Sequence, residues 1–171
     1  MSRERSTANS THTAVYAGSF DPPTNGHIDV IRRVQPNFDK LFLVVAENPR
    51  KKTLFTTQER IDLLKEALKG VLPEGSFQVE SSDGLIVDYC RKVKAKILIR
   101  GLRAISDFEA EFQMATMNRR LGKDIETLLV VTDEKYLFVS SSLIKEVAYH
   151  RGELDGLVPD NVKKALEQKC R

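Results

Sequence analysis

The sequence predicts a single-domain α/β protein built on a five-stranded parallel sheet with helices on both faces. Three observations carry that prediction. Short apolar runs alternate with amphipathic stretches from residue 14 to the end of the chain. No long structureless loop, linker or internal repeat interrupts the alternation. A length of 171 residues suits one sizeable core and is short for two.

Composition narrows the class. The chain is 41% hydrophobic and 30% charged, with no apolar run long enough to cross a membrane. A formal charge of +3 permits a locally positive cleft for phosphates. It is too small for a dedicated nucleic-acid binder, so neither nucleic acid nor membrane is an expected partner. Cys90 and Cys170 match no metal or disulfide spacing and suit a reducing cytosol. Cys90 falls in an apolar helical pattern and reads as a core residue, and Cys170 as solvated. Residues 1–13 are polar, rich in Ser and Thr, and read as a disordered extension outside a domain spanning 14–171.

The elements follow in order. Ala14-Val15-Tyr16-Ala17-Gly18 is the first strand, and a helix is expected over residues 26–35. The continuous apolar run Leu41-Phe42-Leu43-Val44-Val45-Ala46 suits a strand buried on both faces. Thr56 and Glu59 form a capping-box pair for a helix with Ile61, Leu64 and Leu68 on one face, closed by Gly70 and Pro73. Phe77-Gln78-Val79-Glu80 is the third strand, followed by Ile86, Tyr89, Cys90 and Val93 at helical spacing. Lys96-Ile97-Leu98-Ile99 is the fourth. Ser106 and Glu109 read as a second capping box, opening a helix that runs to Gly122. Thr127-Leu128-Leu129-Val130-Val131 is the fifth strand. The serines at 140–142 open a helix carrying Leu143, Ile144, Val147 and Ala148, and a last amphipathic stretch covers 161–168.

In a parallel sheet, ligands gather beyond the carboxyl ends of the strands, where helix N-termini also point. Four loops there are polar. The first is Gly18-Ser19-Phe20-Asp21-Pro22-Pro23-Thr24-Asn25-Gly26-His27, which puts a hydroxyl and an imidazole at the entrance of a helix. The same residues also suit an ordinary turn into a helix, and spacing alone leaves both readings open. Asn48-Pro49-Arg50-Lys51-Lys52 places three cations after the second strand. Arg100-Gly101-Leu102-Arg103 sets two forked phosphate donors directly after a buried strand. Glu111 shares a mixed stripe with Met114, Ala115 and Asn118. After the fifth strand, Val139-Ser140-Ser141-Ser142 holds more hydroxyls than one N-cap requires, and Tyr136 upstream could pack near a base. No Walker-type loop and no G-x-G-x-x-G occurs.

Thr24-Asn25-Gly26-His27 is similar to the T-x-G-H variant of the nucleotidylyltransferase signature, and Val139-Ser140-Ser141-Ser142 resembles that superfamily's second signature. Together with Gly18-Ser19-Phe20-Asp21-Pro22, Arg100-Gly101-Leu102-Arg103-Ala104 and Asp107-Phe108-Glu109-Ala110-Glu111, they make the chain resemble the bacterial phosphopantetheine adenylyltransferases from residue 14 onward. The resemblance implies a Rossmann-like sheet, a cytoplasmic homohexamer, Mg²⁺, and coenzyme A as a feedback ligand. It implies transfer of AMP from ATP to 4′-phosphopantetheine, giving dephospho-coenzyme A and pyrophosphate. Carried over by position, His27 would be the catalytic transition-state stabiliser and would also touch ATP. Ser19, Phe20, Gly101, Leu102, Arg103 and Glu111 would bind ATP, with Tyr136, Leu137, Phe138, Val139, Ser140, Ser141 and Ser142. Ser19, Lys51, Ile86 and Arg100 would hold the acceptor; no protein metal ligand is implied. Ser19 stands where some members have threonine, and Tyr136 where some have tryptophan.

The rival readings are a related transferase acting on nicotinate mononucleotide or glycerol phosphate, and a non-catalytic nucleotide-binding protein. Thr24, where cytidylyltransferases tend to carry histidine, and the serine-rich second signature favour phosphopantetheine. The intact run from Thr24 to His27 speaks against a sensor.

Overall fold

The structure is a computed structural model that describes residues 12–48 and 52–170. Five strands, β1 (Thr13–Gly18), β2 (Lys40–Ala46), β3 (Phe77–Ser82), β4 (Ile97–Leu102) and β5 (Glu126–Val131), form one sheet in the order β3-β2-β1-β4-β5. All pairs are parallel. The chain winds one way through β1, β2 and β3 and then returns to place β4 on the other side of β1. The switch point therefore lies between β1 and β4, and a crevice at their carboxyl ends is the expected ligand site.

Among the described residues, six α-helices complete the fold: α1 (Asn25–Val34), α2 (Thr57–Leu68), α3 (Ile86–Lys92), α4 (Ile105–Leu121), α5 (Ser141–Tyr149) and α6 (Asp160–Lys169). The period-2 alternation of β1 sorts its side chains between two cores. Ala14 and Tyr16 pack with Val30, Ile31, Leu64 and Leu68 from α1 and α2, whereas Val15 and Ala17 pack with Val87 and Cys90 from α3. A third cluster joins α5 and α6 to Phe55 and holds the segment before α2 against the C-terminal helices.

The punctuation read from the sequence is visible at α2, where Thr56 accepts from the Glu59 N–H and Glu59 accepts from the Thr56 N–H. Gly70 follows with φ +74°, the left-handed conformation in which glycine carries no Cβ penalty.

Four expectations need correction. Thr13, set aside with the N-terminal extension, belongs to β1, because it pairs with Lys40 while the Asp39 N–H bonds the His12 carbonyl. Residues 1–11 of that extension lie outside the described residues. β4 runs on to Leu102, since β5 supplies ladder partners for Arg100, Gly101 and Leu102. The Ser106–Glu109 capping box does not open α4. That helix starts at Ile105 after an extended Ala104 with no side-chain cap, and the Asp107 N–H bonds the Ala104 carbonyl instead. Cys170 is half-buried against the third core cluster, because α6 reaches Lys169 and carries it inward. Cys90 is fully buried, as expected.

Candidate active site

At the carboxyl ends of β1 and β4 lies a cleft of about 560 Å³. It is lined by Ser19, Phe20, His27, Arg100, Gly101, Arg103, Glu111, Ser140, Ser141 and Ser142, ten of the residues singled out from the sequence. Its size lies within the range of small-molecule pockets. A hollow of about 710 Å³ beside Arg151 and α6 contains none of these loops.

His27 is the third residue of α1, at the helix entrance. Its Nδ1 accepts the Thr24 backbone N–H at 3.0 Å and lies 2.9 Å from the Thr24 hydroxyl. That acceptor role assigns the ring proton to Nε2, leaving Nε2 as a donor. Burial lowers the His27 pKa from 6.5 to about 4, and the nearby Arg103 and Arg100 charges add to the fall. The imidazole is therefore neutral at physiological pH, a hydrogen-bond donor without a formal charge. Phe20 stands edge-on against it, with ring centroids 5.1 Å apart, and limits its tilt.

The cations of the cleft are held by carboxylates. Arg100 donates Nε and Nη2 to the two oxygens of Glu111, at 2.8 and 2.7 Å, and Nη1 to the Ala17 carbonyl. These bonds use three of its five N–H groups and leave two. Arg103 donates Nε to Asp107 at 2.9 Å and Nη1 to the Val139 carbonyl at 3.2 Å, which ties the end of β4 to the entrance of α5. Lys145 pairs with Asp21 at 2.7 Å. Asp21 is buried and also accepts the N–H groups of Leu54 and Phe55. One carboxylate thus fastens the β1 loop to the segment before α2 and to α5.

The three serines have separate jobs. Ser140 is the N-cap and accepts from the Leu143 N–H. Ser141 donates to the Pro22 carbonyl at 2.9 Å, closing the β1 loop against α5. Ser142 faces the cleft. Gly101 gives the cleft its depth: a Cβ there would come within 2.9 Å of the Tyr16 hydroxyl.

Several residues singled out from the sequence lie away from this lining. Ile86 packs against the α3 core, and Leu102 is the last residue of β4. Val139 is buried in the third cluster, while Leu137 and Phe138 are exposed. Tyr136 stands beside Gly26, its Cβ 3.4 Å from where a Cβ on that glycine would lie. Lys51 lies outside the described residues; Lys52, beside it, lines the cleft with Thr53.

The lining also contains Asp21 and Asp107, which the sequence places in motifs without a role, and Tyr16 and Lys145, which it does not single out for the site. Lys145 was detectable in principle, since it follows Ser141 by one helical turn and shares its face.

A family model described as cytidylyltransferase-like matches residues 15–147. Among curated proteins, the phosphopantetheine adenylyltransferase of Desulfosudis oleivorans is 49% identical over 156 residues, covering 91% of both chains. That of Dictyoglomus thermophilum is 51% identical over 156 residues, covering 91% of this chain and 93% of its own. The chain belongs to the phosphopantetheine adenylyltransferases, within the cytidylyltransferase-like family. The signature at 24–27 and the serines at 140–142 both fall inside the matched span. Among solved structures, a Vibrio parahaemolyticus protein assigned as a nicotinate-nucleotide adenylyltransferase superposes with a TM-score of 0.68, covering 92% of this chain and 93% of its own. At 13% identity it shows the nucleotidylyltransferase fold alone.

Proposed function

We propose that this protein transfers the adenylyl group of ATP to 4′-phosphopantetheine, giving dephospho-coenzyme A and pyrophosphate, a step of coenzyme A biosynthesis. The observation that carries the chemistry is the convergence of a neutral imidazole donor, two guanidiniums and an α-helix entrance on one cleft at the sheet's switch point. The observation that carries the acceptor is near 50% identity, over nine-tenths of the chain, to proteins named for it.

The chemistry asks little covalent work of the protein. An oxygen of the acceptor's phosphate monoester attacks the α-phosphorus of ATP. The bond from that phosphorus to the bridging oxygen breaks, and pyrophosphate leaves with the electron pair. The nucleophile is already anionic near neutral pH, so no general base is needed. The difficulty is to bring two polyanions together and to stabilise the charge that develops on the α-phosphoryl oxygens. His27 would donate its Nε2–H to that group, held in orientation by Thr24 and Phe20. Arg103, Gly101, Leu102, Glu111, Ser19 and the Phe20 backbone would surround ATP, with the segment from Tyr136 to Ser142 beside the nucleotide. Ser19, Arg100 and Lys51 would hold the acceptor phosphate, and Ile86 would lie toward its pantetheine arm. The two N–H groups that Arg100 keeps after pairing with Glu111 and Ala17 suit one phosphate oxygen each.

Magnesium fits this cleft as part of the nucleotide. Each carboxylate of the lining, Asp21, Asp107 and Glu111, already holds a cation. Among the described residues, no group of three or more His, Cys, Asp or Glu side chains could hold a metal ion. Mg²⁺ coordinated mainly by phosphate oxygens and water needs no such cage, and it would offset the charge of the leaving pyrophosphate.

The proposed assembly is a homohexamer. Phe108, Phe112, Met114 and Met117 on α4 and Val131 on the edge strand β5 are about half exposed, apolar side chains of the kind that contacts between subunits cover. A cytoplasmic location and feedback by coenzyme A, which shares the pantetheine arm and phosphates of the acceptor, complete the reading. No helix of the described residues is long and apolar enough to cross a membrane.

The deciding experiment incubates the protein with magnesium, ATP and single acceptors and measures pyrophosphate. Release with 4′-phosphopantetheine, and none with nicotinate mononucleotide or glycerol phosphate, is expected. Release with a mononucleotide alone overturns the acceptor assignment.

A further inference from the structure

Arg60 is the fourth residue of α2 and only 3% exposed. Buried guanidiniums are usually paired with a carboxylate, because an isolated charge loses its hydration without recompense. Arg60 has no such pair among the described residues. Its Nη1 donates to the Ser19 carbonyl at 2.8 Å, its Nη2 to the Thr57 hydroxyl at 3.1 Å, and its Nε to the Thr56 carbonyl at 3.4 Å. All three acceptors are neutral.

The Ser19 carbonyl it holds belongs to the loop that lines the cleft. In a trans peptide the C=O and the following N–H point in opposite directions. With the Ser19 oxygen drawn toward α2, the Phe20 N–H is turned the other way. Phe20 itself has φ +46°, a left-handed conformation that strains a bulky residue and persists only where its surroundings fix it. Its ring is fixed by Tyr16 and His27, and its preceding peptide by Arg60. Among the described residues nothing accepts the Phe20 N–H.

We propose that Arg60 is a positioning residue of the anion site: from outside the cleft it turns the Phe20 amide toward bound phosphate and adds an unneutralised positive charge behind it. It touches no substrate. Of the cations that line the cleft, Arg100, Arg103 and Lys145 are partly neutralised by Glu111, Asp107 and Asp21. The charge of Arg60 is not, so the polyanion that arrives is its first full counter-charge. The cost of keeping it buried falls on the free protein, and the return comes on binding.

The inference rests on the adenylyl-transfer reading, and its test separates the two. Arg60→Met, Arg60→Gln and Arg60→Lys are compared with the unaltered protein by thermal unfolding, by calorimetry with magnesium-ATP and with inorganic pyrophosphate, and by steady-state kinetics with 4′-phosphopantetheine. Arg60→Met removes the charge while filling the space, so its melting temperature should stay within a few degrees of the parent or rise. Its Kd for both anions should weaken at least tenfold, and its KM for ATP should rise more than its kcat falls. Arg60→Lys should recover most of the anion affinity and Arg60→Gln should not. Anion affinity unchanged in Arg60→Met, or equal in Lys and Gln, overturns the proposal. So does a failure of both Met and Gln variants to fold, which would make the residue structural. An unaltered protein that binds ATP but forms no dephospho-coenzyme A would instead sink the functional reading and leave the calorimetric comparison standing.

Discussion

The depressed pKa of His27 makes the stability of this protein acid-sensitive in a way one substitution should abolish. In the unfolded chain the imidazole titrates near 6.5; in the fold, burial and then Arg103 and Arg100 bring it to about 4. Between those values the unfolded state binds the proton and the folded state does not, so stability falls as pH falls. The stabilising difference is fully present above pH 6.5 and erodes progressively toward pH 4. At pH 5 the unfolded imidazole is nearly all protonated and the folded one largely neutral, which linkage converts to ~2 kcal/mol lost relative to pH 7.5. The full loss, approached below pH 4, is ~3 kcal/mol. His27→Gln keeps a hydrogen-bonding side chain at the entrance of α1 but cannot titrate. Urea unfolding of both proteins at pH 7.5 and pH 5, at one fixed protein concentration because assembly shifts apparent stability, isolates the term. The parent should lose ~2 kcal/mol more than the variant between the two pH values. Parallel pH dependences would refute the argument, as would a folded-state imidazole titration midpoint near 6.5 by NMR.

Four further outcomes follow from the same geometry. His27→Ala should lower kcat by ~10²–10³, the usual cost of one preorganised donor, with little change in ATP affinity; near-normal turnover removes it from the mechanism. Arg100→Ala should mainly raise the KM for 4′-phosphopantetheine, and unchanged acceptor kinetics would reassign that arginine. Asp21→Ala strands Lys145 and the Leu54 and Phe55 amides, so denaturant unfolding should show a loss of roughly 3–5 kcal/mol, and a loss below 1 would mean the clamp is dispensable. Phe112→Glu on the exposed face of α4 should reduce the mass of the assembly in sedimentation without unfolding the protomer.

The centre of the sheet was legible because β1, β2 and the first half of β4 bury both faces and so read as unbroken apolar runs, β2 above all. Thr56 and Glu59 fixed the start of α2 for a local reason: the capping box is made entirely within four residues. Ser106 and Glu109 have the same spacing and no such role, because α4 already begins at Ile105 after an extended Ala104, which leaves Ser106 inside the helix. The site divides in the same way. Ser19 and Arg103 sit in loops where elements meet and His27 in the first turn of α1, and such junction chemistry stands out in a sequence. Glu111 was visible as a misfit on its helix, but its bidentate grip on Arg100 spans two elements and needed coordinates. Arg60 and Lys145 lie inside helices, where a cation normally means a solvated face, and only the fold shows that one is buried and the other points into the cleft.

The pairing of cations in the resting cleft bears on how the enzyme can be both stable and receptive. A pocket of bare guanidiniums would repel itself and weaken the fold. Here Arg100 and Arg103 lean on Glu111 and Asp107, and Lys145 leans on Asp21, so the free protein bears little of that strain. An arriving phosphate need not break these pairs, since an arginine held by one carboxylate still has N–H groups to give. Each carboxylate also fixes the direction in which the remaining donors point, a saving of side-chain entropy at the moment of binding. His27 completes the arrangement without adding charge. An imidazolium beside two guanidiniums would be costly in the free protein, whereas a neutral ring with its proton on Nε2 offers a donor at no such cost. Burial sets that neutral state, and the same two arginines proposed to hold the substrates reinforce it.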